Sequence, residues 1–415
     1  MLVKYRYIRL KGAFVMNKIK ETGYRIYQTV YKYAEYLMNW DEPELLKGPG
    51  AVKELPKLIK SKGLSSIVVV TDKTLVQLHA LDGLFASLDE QNVKYTVFSN
   101  VQPNPSIENI EEGRRIYLKN NCEGIIAFGG GSAMDCAKVA AARVANPNST
   151  VASMRGQLKV RHKIPPLFAV PTTAGTGSEV TLAAVVTNMQ THEKYAINDP
   201  KLRPKYAVLD PELTVGLPKK MTSTTGMDAL THAVEAYIGL SSTPSTDDYA
   251  EKAVKLIFSN LEKAYQNGED IEARENMLVA SFYAGMAFTR AYVGYVHAIA
   301  HNLGGLYGTP HGLANAVIMP HVLKYYGESA YEKLAKLADI VGIDGKDDEE
   351  KAKRFIEEIE DMNERMEIPD HFDFIKEEDI PTIVERALKE GNPLYPVPKI
   401  MDAEDCEEVV REIRG

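Results

Sequence analysis

The segment Gly124-Ile125-Ile126-Ala127-Phe128-Gly129-Gly130-Gly131-Ser132 is the stretch on which the fold prediction depends. Its apolar run is typical of a buried β-strand, and it passes through a glycine-rich turn into a sequence typical of a helix. Glycines at such a turn let the backbone approach a phosphate closely, and the N-terminus of the next helix offers unpaired N–H groups. The segment lacks the G-x-G-x-x-G fingerprint of an ordinary Rossmann half. A phosphate-binding turn is therefore the interpretation, and an unliganded tight turn is the alternative.

Strands and helices alternate around this segment. The predicted strands are Ser66–Thr71, Tyr95–Phe98, Gly124–Phe128, Leu167–Val170 and Val185–Asn188. One predicted helix carries Leu75, Leu78 and Leu81, and another spans Glu108–Lys119. Such alternation predicts a largely parallel sheet covered by helices on both faces. After about residue 220 the strand signal disappears. The predicted helices there are Met221–Gly239, Asp247–Asn267, Ile271–Thr289, His297–Leu303, Ala314–Tyr326 and most of residues 329–390.

Composition excludes several classes of protein. The chain has 415 residues, of which 45% are hydrophobic and 26% charged, and these values are ordinary for a globular enzyme of two domains. A net charge of −8 makes nucleic acid an unexpected partner. The three cysteines, Cys122, Cys136 and Cys406, form no C-x-x-C pair and predict a reducing cytoplasm. The sequence also has no apolar run of the roughly 18 residues that a membrane span needs.

The N-terminal extension, residues 1–40, is basic but lacks the pattern of a secretory signal. Met16 is an alternative start, which would leave residues 1–15 outside the protein. Tyr24, Tyr27, Tyr31, Ala34 and Met38 recur at three- and four-residue steps and predict an amphipathic helix. We expect this helix to pack on its own domain or on a partner subunit, the alternative being a membrane surface.

Four histidines and one aspartate gather between residues 228 and 311. Asp228 and His232 are four residues apart, as are His297 and His301, so each pair lies on one face of a helix. Together with His311 they offer imidazole nitrogens and one carboxylate, which suit a divalent transition metal such as Fe or Zn. Separate core or surface histidines are the alternative. Spacing alone does not choose among the five residues.

A second turn rich in glycine follows the strand at 167–170. Thr172, Thr173 and Thr176 crowd this turn, where hydroxyl and amide groups can hold phosphate or ribose oxygens. Asp72 ends the first strand, where a carboxylate can accept a hydrogen bond from a ribose 2′-OH and repel a 2′-phosphate. An ordinary loop and a helix N-cap at Asp72 are the alternatives.

Taken together, these segments resemble the iron-containing (group III) alcohol dehydrogenase family over roughly residues 43–415. The resemblance rests on Gly129–Ser132 with Asp135 and Lys138, Pro171–Val180, Gly226–Tyr237 and His297–Gly312. It implies an α/β dinucleotide-binding domain, residues 41–215, and an all-α metal-binding domain, residues 216–415, in a dehydroquinate synthase-like fold. It also implies a dimer and hydride transfer between a nicotinamide cofactor and a small alcohol or aldehyde.

The resemblance assigns a role to each matched position. The metal ligands would be Asp228, His232, His297 and His311, holding Fe²⁺ or else Zn²⁺. His301 would lie near the nicotinamide and relay protons. The cofactor contacts would be Asp72, Asn104, Gly130, Gly131, Ser132, Asp135, Thr172, Thr173, Thr181 and Lys194, with NAD(H) favoured over NADP(H).

Ala183 and Phe288 would line the substrate pocket. An apolar residue at Ala183, where a diol-reducing relative carries a polar one, favours a simple or medium-chain alcohol over a diol. Glycerol or diol dehydrogenases and dehydroquinate-synthase-like lyases are the nearest alternatives. The Asp228-x-x-x-His232 pair argues against glycerol dehydrogenases, and the absence of a dense Lys/Arg cluster near the ligands argues against the lyases. A non-catalytic nucleotide-binding scaffold, the remote alternative, would be expected to lose a ligand.

Overall fold

A six-stranded sheet, with every pair of neighbouring strands parallel, forms the centre of the N-terminal half of the chain. The structure is a computed structural model that describes residues 18–33, 40–190 and 193–415. Within these described ranges the strands in chain order are β1 (Glu44–Lys47), β2 (Ser66–Val70), β3 (Lys94–Phe98), β4 (Gly124–Gly129), β5 (Gly156–Gln157), β6 (Leu167–Pro171), β7 (Ala183–Asn188), β8 (Glu193–Asn198) and β9 (Tyr206–Leu209). The large sheet has the order β1-β9-β6-β4-β2-β3, and a small mixed sheet has the order β5-β8-β7. The predicted parallel sheet is confirmed, whereas β1, β5, β8 and β9 and the small sheet were not predicted.

Each central strand is buried on both faces. Val68 and Val70 of β2 belong to one hydrophobic core, while Ile67 and Val69 belong to another. Successive side chains of a strand point to opposite faces, so alternate residues enter different cores. Both cores exclude water, which explains why these strands appear in the sequence as continuous apolar runs.

Helices make up the rest of the described structure. In chain order they are α1 (described over 18–33), α2 (Leu55–Ser61), α3 (Lys73–Gln77), α4 (Asp82–Glu90), α5 (Ile107–Lys119), α6 (Gly131–Ala145), α7 (Lys219–Ile238), α8 (Pro244–Gln266), α9 (Ile271–Ala291), α10 (Tyr295–Tyr307), α11 (His311–Tyr326), α12 (Tyr331–Val341), α13 (Asp348–Arg365), α14 (Ile380–Gly391) and α15 (Ala403–Arg414). After residue 209 the described chain contains no strand, which confirms the predicted helical half. None of the helices found in the described ranges is long and apolar enough to cross a membrane.

One predicted helix is wrong in its extent. The helix expected to carry Leu75, Leu78 and Leu81 is α3, and it ends at Gln77. His79 has a φ of 57°, a left-handed conformation that cannot continue a right-handed helix. Leu78 is therefore 69% exposed, while Leu81 is buried just before α4 begins.

The chain divides into two compact units. One unit comprises Asp41–Ala233 and Asp248–Thr289 and contains both sheets. The other comprises Val234–Asp247 and Arg290–Gly415, together with the described residues up to Trp40, and is helical. The division expected from the sequence, at residues 40 and 215, stays a prediction.

The N-terminal helix α1 packs on its own unit through polar side chains. The Arg25 guanidinium donates hydrogen bonds to the carbonyl oxygens of Val397 at 2.7 Å and Pro398 at 3.0 Å. The Gln28 amide donates to the carbonyls of Pro393 at 3.0 Å and Tyr395 at 2.8 Å. Tyr24, Tyr27 and Tyr31 lie in the helix as predicted, whereas Ala34 and Met38 lie outside the described residues.

Candidate metal and dinucleotide sites

Four neighbouring strands of the large sheet bring predicted cofactor residues to one edge. Asp72 follows β2, Asn104 follows β3, Ser132 follows β4 and Thr172 follows β6. Because β6, β4, β2 and β3 are adjacent and parallel, their carboxyl ends lie at the same edge of the sheet. The chain order reverses between β2 and β4, and this switch point is where open α/β sheets bind their ligands.

The glycine turn after β4 has little room for a side chain at Gly129 and Gly131. Gly129 has a φ of 146°, and a Cβ built there would lie 2.9 Å from the Ala133 Cβ. A Cβ on Gly131 would lie 3.1 Å from the Thr176 Cγ2. Gly130 is the N-cap of α6, and the backbone N–H of Asn104 donates to the Ser132 hydroxyl at 3.2 Å. A bare backbone that opens a helix fits a cofactor phosphate.

Asp72 is the N-cap of α3 and also faces the glycine turn. Its Oδ1 accepts a hydrogen bond from the Leu75 N–H at 3.0 Å. Its Oδ2 lies 3.9 Å from the position that a Cβ on Gly129 would occupy. The capping alternative is therefore part of the structure, and the second carboxylate oxygen lies beside the turn.

The turn after β6 lies against the same glycines. The backbone N–H of Thr172 donates to the Gly129 carbonyl at 3.1 Å. The Thr173 Oγ1 lies 3.4 Å from the position of a Cβ on Gly130. Lys194 lies in the small sheet, opposite Thr187 of β7, where burial lowers its pKa.

A buried lysine connects α6 to the segment after β6. The Lys138 ammonium donates three hydrogen bonds of 2.9 Å, to the Ser178 Oγ, the Thr181 Oγ1 and the Ala183 carbonyl. Asp135 accepts from the Val185 N–H at 3.1 Å and from the Ser178 hydroxyl at 3.3 Å. Burial raises the pKa of Asp135 to about 6 and lowers that of Lys138 to about 8. Both Asp135 oxygens have partners in the chain, so its role as a cofactor contact stays a prediction that rests on the resemblance.

The segment after β6 also lies directly against α9. A Cβ on Gly177 would come within 2.7 Å of the Gly285 Cα. A Cβ on Gly285 would come within 2.9 Å of the Gly177 carbonyl and 2.5 Å of the Val180 Cγ2. Only two glycines permit this backbone-to-backbone contact, so it fixes the segment on the helix.

Helix α7 carries the first two candidate metal ligands, Asp228 and His232. Both are buried, with 2% and 5% of their surface exposed, and they lie one turn apart. The His232 ring stacks on Phe288, with centroids 4.1 Å apart and planes at 12°. Phe288, predicted to line the substrate pocket, thus holds the imidazole plane.

The other two candidate metal ligands are His297 on α10 and His311 at the start of α11. The His297 Nδ1 lies 2.6 Å from the Glu235 Oε2, and the Glu235 Oε1 accepts from the Val296 N–H at 2.8 Å. Burial raises the pKa of Glu235 to about 8, although backbone N–H groups favour its charged form. The Asn315 amide nitrogen lies 3.1 Å from the His297 Nε2 and 3.2 Å from the His311 Nε2. An amide N–H donates to a nitrogen lone pair, and such a lone pair is what a metal would use.

Asp228, His232, His297 and His311 each offer one ligand atom, and these four atoms lie within 4.8 Å of one another. Donors on opposite sides of one ion, at bond lengths of about 2.0–2.2 Å, are at most roughly 4.4 Å apart. The four ligand atoms are therefore near enough to reach a single ion, which would draw them closer together on binding. Three imidazoles and one carboxylate suit iron or zinc.

His301 lies outside this group of four. Its Nδ1 lies 2.6 Å from the Glu390 Oε1, and its ring stacks on His311 with centroids 5.1 Å apart. The Tyr395 hydroxyl donates to the same Glu390 oxygen at 2.9 Å. The His301 side chain is 39% exposed, so its pair with Glu390 has access to solvent that His297 lacks.

Three residues beside these histidines were not predicted. Glu235 had a signal in the sequence, because it lies three residues after His232 on the same buried helix. Asn315 lies one turn after His311, so its spacing from a candidate ligand could have indicated it in the same way. Glu390 had none, since it is 89 residues away from His301 in the chain.

Comparison with known proteins places the chain in a family. Residues 43–211 match the domain described as iron-containing alcohol dehydrogenase, and residues 222–413 match the C-terminal domain of the Fe-containing alcohol dehydrogenase family. Alcohol dehydrogenase 4 of Schizosaccharomyces pombe is 41% identical over 85% of this chain and 84% of its own length. The NAD-dependent methanol dehydrogenase of Bacillus methanolicus is 36% identical over 89% and 97%. A crystal structure of 1,3-propanediol oxidoreductase superposes with a TM-score of 0.87 at 37% identity, covering 91% of this chain and all of that one.

The fold is that of a metal-dependent alcohol oxidoreductase, and the four-residue group could hold a metal ion. The chain belongs to the iron-containing alcohol dehydrogenase family. The resemblance inferred from the sequence motifs, and the enzyme class that it implied, are confirmed.

Proposed function

We propose that this enzyme is an iron-dependent, NAD(H)-preferring dehydrogenase of small alcohols, with Asp228, His232, His297 and His311 as its four metal ligands. The observation that carries the proposal is the grouping of their ligand atoms within 4.8 Å. Fe²⁺ is the expected metal and Zn²⁺ the alternative. A divalent ion held there supplies a Lewis acid that polarises the oxygen of the alcohol or aldehyde.

The chain's own residues hold and orient the ligands. The Glu235 carboxylate, whose charged form is favoured by backbone N–H groups, would accept the Nδ1 proton of His297 and leave the Nε2 as the coordinating atom. The Phe288 ring holds the His232 imidazole in plane. Asp228 is the one anionic ligand of the four and offsets part of the metal charge.

The cofactor contacts are proposed at the edge where β6, β4, β2 and β3 end. Gly130, Gly131 and Ser132 would hold the pyrophosphate at the N-terminus of α6. Asp72 would accept from a ribose 2′-OH and disfavour a 2′-phosphate. The remaining proposed contacts are Asn104, Asp135, Thr172, Thr173, Thr181 and Lys194. The NAD-dependent relative from Bacillus methanolicus supports the preference for NAD(H).

His301 is proposed as the residue that exchanges the proton with solvent. Glu390 would accept its Nδ1 proton and keep the Nε2 ready to gain or lose another. Its partial exposure supports this role, because a relay must reach bulk water.

Small alcohols and aldehydes are the proposed substrates, with Ala183 and Phe288 at the pocket. The relatives act on methanol and 1,3-propanediol by name, which supports small substrates. The apolar Ala183 favours an unfunctionalised alcohol. We further propose a cytoplasmic homodimer in which residues 41–215 bind the dinucleotide and residues 216–415 bind the metal.

The test is an absorbance assay of NADH oxidation with butanal, using metal-free protein and protein supplied with Fe²⁺ or Zn²⁺. We expect turnover only with metal, and faster with NADH than with NADPH. A glycerol dehydrogenase would instead prefer glycerol over butanol in the oxidative direction. A scaffold would bind NADH without oxidising it, and that result would contradict the proposal.

A further inference from the structure

The outward face of α1 is apolar. Ile19, Ile26, Val30 and Tyr33 are 66%, 60%, 64% and 70% exposed. The opposite side carries Arg25, Gln28 and Lys32, whose polar groups bond to the chain's own carbonyls. The attached side also carries Tyr31, whose ring lies 6.0 Å from that of Tyr292, while the aliphatic residues of the helix face outward.

The exposed residues follow the spacing of a coiled coil. Ile19, Gly23, Ile26, Val30 and Tyr33 are separated by four, three, four and three residues, and we call them the α1 seam. This is the a/d spacing of a heptad, which gives a stripe narrow enough for one partner helix. A helix that lies in a membrane surface presents a wider apolar face with a strongly charged opposite face. The seam therefore fits a helix better than it fits lipid.

The borders of the seam carry little charge. Thr22, Tyr27 and Thr29 flank it, and Lys20 is the one charged residue among its neighbours. Arg25 and Lys32 donate to backbone carbonyls and are turned away from the seam. An anionic membrane is recognised by basic residues beside the apolar stripe, and within the described residues 18–33 only Lys20 directly borders the seam. A second uncharged seam is the better match.

We propose that the α1 seam pairs antiparallel with the α1 seam of a second copy of this chain. The layers would place Ile19 against Val30 of the second copy, and Gly23 against Ile26 of the second copy. Ile19 and Val30 then form an aliphatic layer and Ile26 lies over Gly23, where nothing within 4 Å of a built Cβ obstructs the approach. In a two-fold symmetric contact of this kind each pair of residues occurs twice, once on each side of the symmetry axis.

Charge also favours the antiparallel arrangement. It places the Lys20 ammonium beside the Tyr27 ring of the second copy, a cation–π geometry, and brings no like charges together. The seam is short, about 22 Å at 1.5 Å per residue, so it adds to other subunit contacts rather than replacing them. Helix α1 also precedes residues 43–211 and 222–413, which the family domains match. The pairing is thus a property of the extension and does not depend on the proposed catalytic roles.

Cysteine crosslinking of the full-length enzyme tests the pairing. All three native cysteines are buried, so an introduced thiol at the helix surface reacts selectively. A Gly23→Cys chain and an Ile26→Cys chain carrying tags of different size are mixed and oxidised. We expect a disulfide-linked heterodimer of the two chains. The matched control replaces Gly23→Cys by Glu21→Cys, an exposed position on the same helix that lies off the seam, and should give no heterodimer.

The controls make the result decisive. Circular dichroism and NADH turnover confirm that each variant folds, since α1 lies outside the proposed active-site residues. Equal crosslinking in the control mixture, or no heterodimer at all, would overturn the proposal. So would Ile26→Cys chains that link mainly to themselves, because that pattern belongs to a parallel pair. Binding to phosphatidylglycerol vesicles that is lost in Ile26→Glu, without crosslinking, would assign the seam to lipid instead.

Discussion

At the scale of single residues, the two histidines of α10 differ in how deeply each one and its carboxylate partner are buried. His297 and Glu235 are buried, with 3% and 1% of their side chains exposed, whereas His301 and Glu390 are 39% and 32% exposed. A buried pair holds one tautomer, and an accessible pair can exchange protons with water. The two histidines are adjacent on one helix face, yet their surroundings suit different tasks.

The first prediction concerns ligand choice. His311→Ala should lose bound metal because it removes one of four donors. His301→Ala should keep the metal and lower the rate, because it lies outside the group. Metal content by atomic emission and turnover with saturating NADH provide the two readouts. An empty site in His301→Ala together with a full one in His311→Ala would reverse the assignment.

The second prediction concerns Glu235. Glu235→Gln should weaken metal affinity by about 10–100-fold, because the amide accepts the Nδ1 proton of His297 less strongly. Competition with a coloured chelator measures the affinity without turnover. Glu390→Gln is the matched control, since it removes a carboxylate from the neighbouring histidine and should leave metal affinity unchanged. Equal losses in both variants would show that Glu235 has no special role.

The third prediction separates the two roles of Asp72. Asp72→Asn keeps an N-cap acceptor for the Leu75 N–H but removes the negative charge. A carboxylate beside a 2′-phosphate costs on the order of 1–3 kcal/mol, so kcat/KM for NADPH should rise about tenfold or more relative to NADH. The thermal midpoint should change little. If the midpoint falls and the cofactor ratio does not move, Asp72 is only a helix cap.

At the scale of secondary-structure elements, the sequence was most informative where burial was complete. β2, β4 and β6 were predicted within two residues of their observed ends because both faces of each strand are apolar. The small sheet was not predicted as a sheet, since β8 (Glu193–Asn198) mixes charged and apolar residues. α3 was overextended because its leucine spacing continues across His79, whose left-handed backbone leaves no trace in that pattern.

Local patterns in the sequence also determined which residues of the candidate metal site could be predicted. Asp228/His232 and His297/His301 were visible because ligands one turn apart share a helix face. Sequence spacing could not show that His301 lies outside the four-residue group, because that depends on where α10 and α11 meet. Glu390 joins His301 only through the packing of α14, so no local pattern could have found it.

The fourth prediction belongs to the segment after β6. Glu179 is 1% exposed, and burial raises its pKa to about 7, against 4.5 for an exposed carboxyl. A folded pKa above the unfolded one means that this residue lowers the free energy of unfolding as pH rises from 4.5 to 7. Glu179→Gln does not titrate and should be more stable than the unmodified enzyme at pH 8, by on the order of 1–3 kcal/mol.

Thermal denaturation at pH 4.5 and pH 8 measures this difference, which should be largest at the higher pH. Glu212→Gln, with a half-exposed side chain, is the control and should show no such trend. A gain that is the same at both pH values would mean that packing, and not ionisation, is responsible.

At the scale of the whole molecule, the packing of the large sheet is separate from the candidate metal ligands. The sheet is enclosed by two hydrophobic cores on its opposite faces, and neither contains a candidate ligand. The fifth prediction is that a chelator abolishes turnover while far-UV circular dichroism changes little. Added Fe²⁺ should restore activity. Loss of the helical signal on chelation would show that the ion is needed for folding as well.

The contact between Gly177 and Gly285 limits how this enzyme can be engineered. A library that randomises the segment around Gly177 would consist mostly of damaged proteins, because even one methyl group at either position meets backbone atoms at 2.7–2.9 Å. Compensation by a second mutation is also blocked, since the partner is already a glycine.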